Sequence, residues 1–384
     1  MKFYLNLSLM VIICSFESSA QTETCLRNLN NSDNRVISQT VNSEMILREY
    51  ILKIPENYDE NTPTSLLINL HGFGDCASDY SELIEDFYNF KAIANEEKII
   101  VVYPQGAYRP EKEDTFWEPG DPGVENIFEN DVYFIETLIS NLETEFNINP
   151  DRIYACGYSN GGMMAYSLAC NSSNIFSAIG IMSGALLEES CFLDEAIPII
   201  IFHGIADGVL PYDANMYYRS VTEVVNFWLD QNNIPDNSIN SIQLNNGNVN
   251  LEEYSGGDNN SCLNFYTIHE EHDKPGGHVW FSDEIGGQPP NQIMWDFFTD
   301  NCSIVSSTDV FDKSSFEIYP NPIKNQLKIN DANSEVYSIH DINGRLMKTG
   351  NLESNAEVIN LEFLRPGCYT VQIQNQVRKF IKVE

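Results

Sequence analysis

Arg152-Ile153-Tyr154-Ala155-Cys156 runs into Gly157-Tyr158-Ser159-Asn160-Gly161 and then into Gly162-Met163-Met164-Ala165-Tyr166-Ser167-Leu168-Ala169. The first run reads as a short buried strand and the last as a helix. The five residues between them read as the sharp turn of a nucleophile elbow. Such a turn holds its serine in a strained conformation, and glycine on either side avoids collision with the neighbouring strand and helix. G-x-S-x-G alone arises by chance in many proteins, so its flanks give it weight. The stretch predicts an acyl-transfer nucleophile at Ser159.

Outward from the elbow, apolar β-branched runs at 45–54, 65–70, 98–103, 152–156, 178–182, 197–202 and 263–268 read as strands. Helix-compatible segments at 80–94, 131–145, 159–169, 216–230 and 291–299 lie among them. This alternation predicts an α/β fold with a mostly parallel sheet covered on both faces. Loops that carry chemistry then gather at the carboxyl ends of the strands. After Cys302 the pattern changes. Residues 303–315 read as a polar linker, and 316–384 alternate apolar and polar residues as a small all-β sandwich.

The chain has 384 residues, with 21 Lys and Arg against 56 Asp and Glu, a formal charge of −35. That balance argues against nucleic acid or an anionic membrane as partner. Lys2, the apolar stretch to Cys14 and Ser18-Ser19-Ala20 read as a signal peptide over 1–20, cut before Gln21. The catalytic domain is then 21–302. Eight of nine cysteines remain, without paired C-x-x-C spacing, so disulfides and buried thiols are expected rather than a zinc site. Cys170 with Cys191 is the preferred pair, and Cys156 is expected to pack as a small apolar side chain. Calcium at Asp258 lacks the spacing of an EF-hand loop.

A serine hydroxyl needs a base, and the base needs a carboxylate to fix its tautomer. In α/β-hydrolases the chain order is Ser, acid, His. Asp207, on the loop after the strand ending at Phe202, is the candidate acid, with Asp213 in reserve. His278 is the candidate base, on a loop opened by Gly276-Gly277. His269 and His272 lack zinc-protease spacing and His340 lies in the small β domain. The oxyanion hole is assigned to the backbone N–H of Asn160 and of Phe73, the latter on the His71-Gly72-Phe73-Gly74 loop. His71 and His203 are expected to be structural. The aromatic stretch 106–130 suggests an apolar substrate wall made by Trp117 with Trp280, against the alternative that Trp117 anchors its loop to the core.

Taken together, His71-Gly72-Phe73-Gly74, Gly157-Tyr158-Ser159-Asn160-Gly161-Gly162, His203-Gly204-Ile205-Ala206-Asp207 and Gly277-His278-Val279-Trp280 resemble the polyhydroxybutyrate depolymerase and feruloyl esterase family, related to carbohydrate esterase family one. The resemblance covers roughly residues 45–300 and implies an α/β-hydrolase whose Ser159, Asp207 and His278 form the triad. It also supports joining Cys170 to Cys191. Phe281 stands where proline is common, and Phe73 and Asp75 replace smaller or more polar residues. The tail, from Phe316-Glu317-Ile318-Tyr319-Pro320-Asn321-Pro322 through Asp341-Ile342-Asn343-Gly344-Arg345, resembles a type IX secretion system sorting domain. That implies secretion machinery as a partner and a secreted or surface-attached product. The rival reading of the tail is a carbohydrate-binding module. The expected activity is a serine carboxylesterase acting on feruloyl or acetyl esters of polysaccharide, without a cofactor. A polyester depolymerase and an inactive surface-binding protein are the alternatives.

Overall fold

The computed structural model describes residues 25, 33–41, 44–109, 113–118, 131–187, 191, 193–235, 237–272, 274–300, 302, 317–320, 322–330, 336–341, 345–352, 356–373 and 376–383. The signal peptide and linker assigned from sequence lie outside them, as does the turn Asn343-Gly344.

Strands of the first unit are β1 (Asn34–Val41), β2 (Glu44–Lys53), β3 (Thr64–Leu70), β4 (Ile99–Pro104), β5 (Ala107–Arg109), β6 (Asp114–Phe116), β7 (Ile148–Tyr158), β8 (Ala178–Met182), β9 (Ile199–Gly204), β10 (Ile239–Leu244), β11 (Val249–Tyr254), β12 (Leu263–Ile268), β13 (Glu270–Glu271) and β14 (Lys274–Pro275). Ten of them form one sheet in the order β1-β2-β4-β3-β7-β8-β9-β12-β11-β10. The six from β4 to β12 are parallel to one another, and antiparallel pairs flank them on both sides. Every residue of β3, β4, β8 and β9 is buried, because helices cover both faces.

The helices are α1 (Ala77–Glu82), α2 (Phe90–Glu97), α3 (Asp131–Glu145), α4 (Asn160–Ser172), α5 (Val221–Gln231) and α6 (Pro290–Thr299). Leu66, Ile68 and Leu70 pack with Phe134 of α3, Leu168 of α4 and Trp228 of α5. Their neighbour Leu67 points to the other face, with Tyr80 of α1, Phe90 of α2 and Trp295 of α6. The period of two along β3 thus sorts one strand between two cores. Each large apolar side chain so buried contributes about 1.5–3 kcal/mol.

Two helices and several short or peripheral strands, β5, β6, β13 and β14 among them, depart from the sequence reading. The helix expected over 80–94 is broken: a π-helical turn, Leu83–Phe87, ends at Tyr88, and Asn89 takes a left-handed φ of 56° before α2 starts. Asparagine is among the few residues that visit this region readily. The helix expected from 216 starts at Val221. Asn215 Oδ1 accepts from the Tyr217 and Tyr218 N–H, a local turn that competes with helix, and Ser220 with Glu223 then forms a capping box. Strands β1, β10 and β11 were not expected; in β10, at the sheet edge, and in β11 beside it, polar residues alternate with apolar ones.

Cys25 is bonded to Cys76, Cys170 to Cys191 and Cys262 to Cys302. Among the described residues Cys156 is a buried free thiol, and burial pushes its pKa up, so it packs rather than reacts.

The second unit has β15 (Glu317–Tyr319), β16 (Gln326–Asn330), β17 (Val336–Asp341), β18 (Leu346–Asn351), β19 (Ala356–Asn360), β20 (Gly367–Ile373) and β21 (Gln376–Lys382). They form two antiparallel sheets, β15-β16-β19 and β18-β17-β20-β21. Both feed one core that includes Ile323, Leu327, Ile339, Leu361, Val371 and Phe380. This is the all-β unit expected. Sequence reading missed β15, β18 and β19, of which β18 has no fully buried residue.

Candidate active site

β3 connects leftward in the sheet to β4, whereas β7 connects rightward to β8. The loops after β3 and β7 therefore diverge, which opens a crevice at their carboxyl ends. Ser159 stands there between β7 and α4 with φ 54° and ψ −118°. The glycines around it are forced by contact. A Cβ on Gly157 would lie 2.2 Å from the Gly161 carbonyl oxygen, and one on Gly161 would lie 2.1 Å from that of Leu70. The Ser159 N–H donates to Met182 O at 2.9 Å, fixing the strained residue to β8.

Ser159 Oγ lies 2.7 Å from His278 Nε2, and His278 Nδ1 lies 2.7 Å from Asp207 Oδ2. An ionised carboxylate only accepts, so the fitting tautomer carries its proton on Nδ1 and leaves Nε2 to accept from the serine. Asp207 Oδ1 accepts from the N–H of Val209 at 2.9 Å and of Leu210 at 2.8 Å. Burial opposes ionisation of Asp207, but the His278 bond and these two N–H groups hold its carboxyl below the usual range. Asp207 is thus an anion in a site where it orients the imidazole.

His278 reaches across because its loop is tied at four points. The Ala206 N–H donates to Gly276 O and the Gly276 N–H to His269 O, each at 2.7 Å. Tyr158 OH donates to His278 O at 3.0 Å, and Ser183 Oγ donates to Val279 O at 2.9 Å. Gly276 is needed, since a Cβ there would lie 2.4 Å from Ile268 O. Burial, then Asp75 and Asp207, push the Tyr158 phenol up, so it stays a donor.

Asn160 is the first residue of α4, so its N–H has no acceptor inside the helix. Its side chain is engaged with Trp117: Oδ1 accepts from the Trp117 N–H at 2.7 Å and Nδ2 donates to Trp117 O at 3.0 Å. The loop bearing Phe73 is held by buried polar side chains. His71 Nδ1 donates to Gly72 O at 2.7 Å, while its Nε2 accepts from the Gly106 N–H at 2.9 Å. Burial, helped by the nearby Arg48 charge, brings the His71 pKa down to about 4, so the ring is neutral. The Gly74 N–H donates to Thr115 O, and Thr115 Oγ1 donates to Asp75 O. Gln105 joins the network, accepting from Ala77 N at 2.7 Å and donating to Asp75 O at 3.3 Å.

Two sequence assignments are corrected. Trp117 is 1% exposed and donates its indole N–H to His71 O; Trp280 is 5% exposed and donates to Asn291 Oδ1. A buried indole needs an acceptor for its N–H, and both have found one in the core. They form no wall facing substrate. Asp213 is exposed, His272 pairs with Asp283, His269 meets Asn250 Nδ2, and His340 lies in β17, so none of the alternates joins Ser159. Asp258 accepts from Asn233 Nδ2. Among the described residues Glu271, His272 and Asp283 bring ligand atoms together. Glu271 Oε1, however, already accepts from Ser282 and Asp283 N–H groups, as the closure of a turn.

Sequence reasoning missed Gln105 and Tyr158 as supports, whereas His203 holds the structural place expected of it. Gln105 is a polar residue directly after the apolar run of β4, a signal for a side chain at a strand's carboxyl end. His203, 1% exposed, donates from Nε2 to Leu210 O at 2.9 Å and so fixes the turn that binds Asp207.

Residues 38–248 match the family model described as putative esterase, and residues 317–383 match that of a secretion system C-terminal sorting domain. The chain is similar to the probable feruloyl esterase C of Aspergillus oryzae, 32% identical over 171 residues, 44% of this chain and 58% of that protein. It is similar to the probable feruloyl esterase C of Aspergillus terreus, 26% identical over 254 residues, 66% and 84% of the two chains. Among solved structures, the acetyl xylan esterase from Aspergillus awamori aligns with a TM-score of 0.51 at 13% identity, over 69% of this chain and 98% of that one. That likeness is one of fold.

Proposed function

Since the chain belongs to the putative esterase family, we propose that it is an exported serine carboxylesterase that hydrolyses feruloyl or acetyl esters on polysaccharide. The observation that carries this reading is the unbroken relay from Ser159 Oγ through His278 to Asp207, with both links at 2.7 Å. Ser159 Oγ attacks the ester carbonyl carbon while its proton passes to His278 Nε2. Asp207 stabilises the imidazolium through Nδ1–H, and the N–H groups of Asn160 and Phe73 receive the negative charge developing on the carbonyl oxygen. Collapse of the tetrahedral intermediate breaks the C–O bond to the alcohol, which leaves with the proton from Nε2. Water, deprotonated by the same nitrogen, then releases the acid from Ser159.

The names of the Aspergillus relatives favour a feruloyl group over a polyester. The sorting domain at 317–383 supports export and a final location outside the cell or on its surface. The test is ferulate release from methyl ferulate, run beside p-nitrophenyl acetate hydrolysis, by the full chain and by Ser159→Ala. The substitution is expected to lower turnover of both esters by roughly 10⁴- to 10⁶-fold. Near-normal activity in Ser159→Ala would remove the assignment.

A further inference from the structure

With both tryptophans buried, the aromatic surface beside the proposed oxyanion hole belongs to other residues. Phe73 is 51% exposed although its loop is held by buried polar side chains. Its ring stacks on Phe116, with centroids 5.1 Å apart and planes 22° from parallel. Each ring is tied to one of the two donors. Phe73 carries one donor N–H itself. Phe116 directly precedes Trp117, whose backbone is held on both sides by the side chain of Asn160, the residue of the second donor. The Gly74 N–H bond to Thr115 O, at 2.8 Å, closes the two segments on each other next to the rings. A carbonyl oxygen bound by both N–H groups therefore lies within a side chain's length of this stack.

We propose that the Phe73–Phe116 pair is the specificity-determining platform of the site, on which an uncharged planar aryl group conjugated to the ester carbonyl lies flat. This inference rests on the esterase reading. Offset stacking on an exposed ring face favours a flat aromatic acyl group over a short alkyl one. The flanking acids select against anionic acyl groups: Asp114 lies two residues before Phe116, and its carboxylate is 3.1 Å from the position a Cβ on Gly74 would take.

The test compares kcat/KM for methyl cinnamate with that for methyl butyrate, in the full chain, Phe73→Ala, Phe116→Ala and Phe116→Tyr. Phe73 is half exposed and its Ala variant keeps the N–H donor, so this variant does not depend on core packing at Phe116. Each Ala substitution is expected to lower the cinnamate-to-butyrate ratio about tenfold, and Phe116→Tyr to restore most of it. An unchanged ratio in both Ala variants, with Ser159-dependent hydrolysis intact, overturns the platform and leaves the esterase reading standing. Hydrolysis of neither ester by the unsubstituted chain, with p-nitrophenyl acetate also untouched, overturns the esterase reading and the platform with it.

Discussion

The loop that brings His278 over Ser159 and the loop that brings Phe73 beside it leave neighbouring parts of one sheet, yet they are held by different means. The first is pinned by backbone bonds at Ala206 and Gly276 and by two hydroxyls, those of Tyr158 and Ser183. The second leans on a buried network of His71, Gln105, Thr115 and Trp117 side chains. Backbone ties with glycine at the close approaches leave little to titrate and few side chains to lose. A buried polar network fixes geometry as firmly while every member stays satisfied, and becomes costly once one is removed or protonated. The contrast separates a His278 loop tolerant of its surroundings from a Phe73 loop sensitive to acid and to single substitutions.

The widest test of this contrast removes the proposed base. His278→Ala is expected to cost about 10⁴-fold or more in kcat, while His272→Ala, at an exposed ring paired with Asp283, leaves kcat unchanged. Steady-state hydrolysis of one soluble ester decides it, and the opposite ranking would move the base to the other position.

The second test uses acid. His71 has a folded pKa of about 4 against an unfolded value of 6.5. Between those values the unfolded chain takes up a proton that the folded chain refuses, so stability falls as pH falls through that window. The loss is on the order of 3 kcal/mol when complete near pH 4. His71→Gln is expected to be less stable at neutral pH but to show a shallower acid decline in melting temperature. Parallel declines in the two proteins would break the contrast.

Smaller effects sharpen it further. Trp117→Phe leaves the buried His71 carbonyl without its indole donor and is expected to cost about 1–3 kcal/mol in urea unfolding, together with a lower kcat. Tyr158→Phe loses one bond to the His278 carbonyl and is expected to cost about 1 kcal/mol, with only a few-fold loss in kcat/KM. A larger loss for Tyr158→Phe than for Trp117→Phe would show the base loop to be the more fragile of the two.

The same division governs what was legible in the sequence. Strands β3, β4, β8 and β9 were readable because burial on both faces makes them largely apolar runs. The segments that became β10 and β11 were not, since the edge strand β10 and its neighbour β11 carry Asn, Gln and Glu alternating with apolar residues. Ser159, Asp207 and His278 stood out because each follows a readable strand and its loop is marked by glycines. Trp117 and Trp280 misled the reading: composition marks an aromatic loop, but whether an indole faces solvent depends on an acceptor distant in sequence, here His71 O and Asn291 Oδ1. Phe73 was noticed for its N–H, whereas its ring gained meaning only through Phe116, 43 positions away in the chain.

The bond between Cys302 and Cys262 also has a mechanical side. Cys302 follows α6, and Cys262 immediately precedes β12, a strand in the interior of the ten-stranded sheet. A pull on the polypeptide beyond residue 302 is therefore delivered through sulfur to the root of β12, and α6 is spared from being peeled off turn by turn. Tension on the tail, or its removal by a protease cutting after that residue, meets a covalent stop before it can unravel the part of the chain that positions His278.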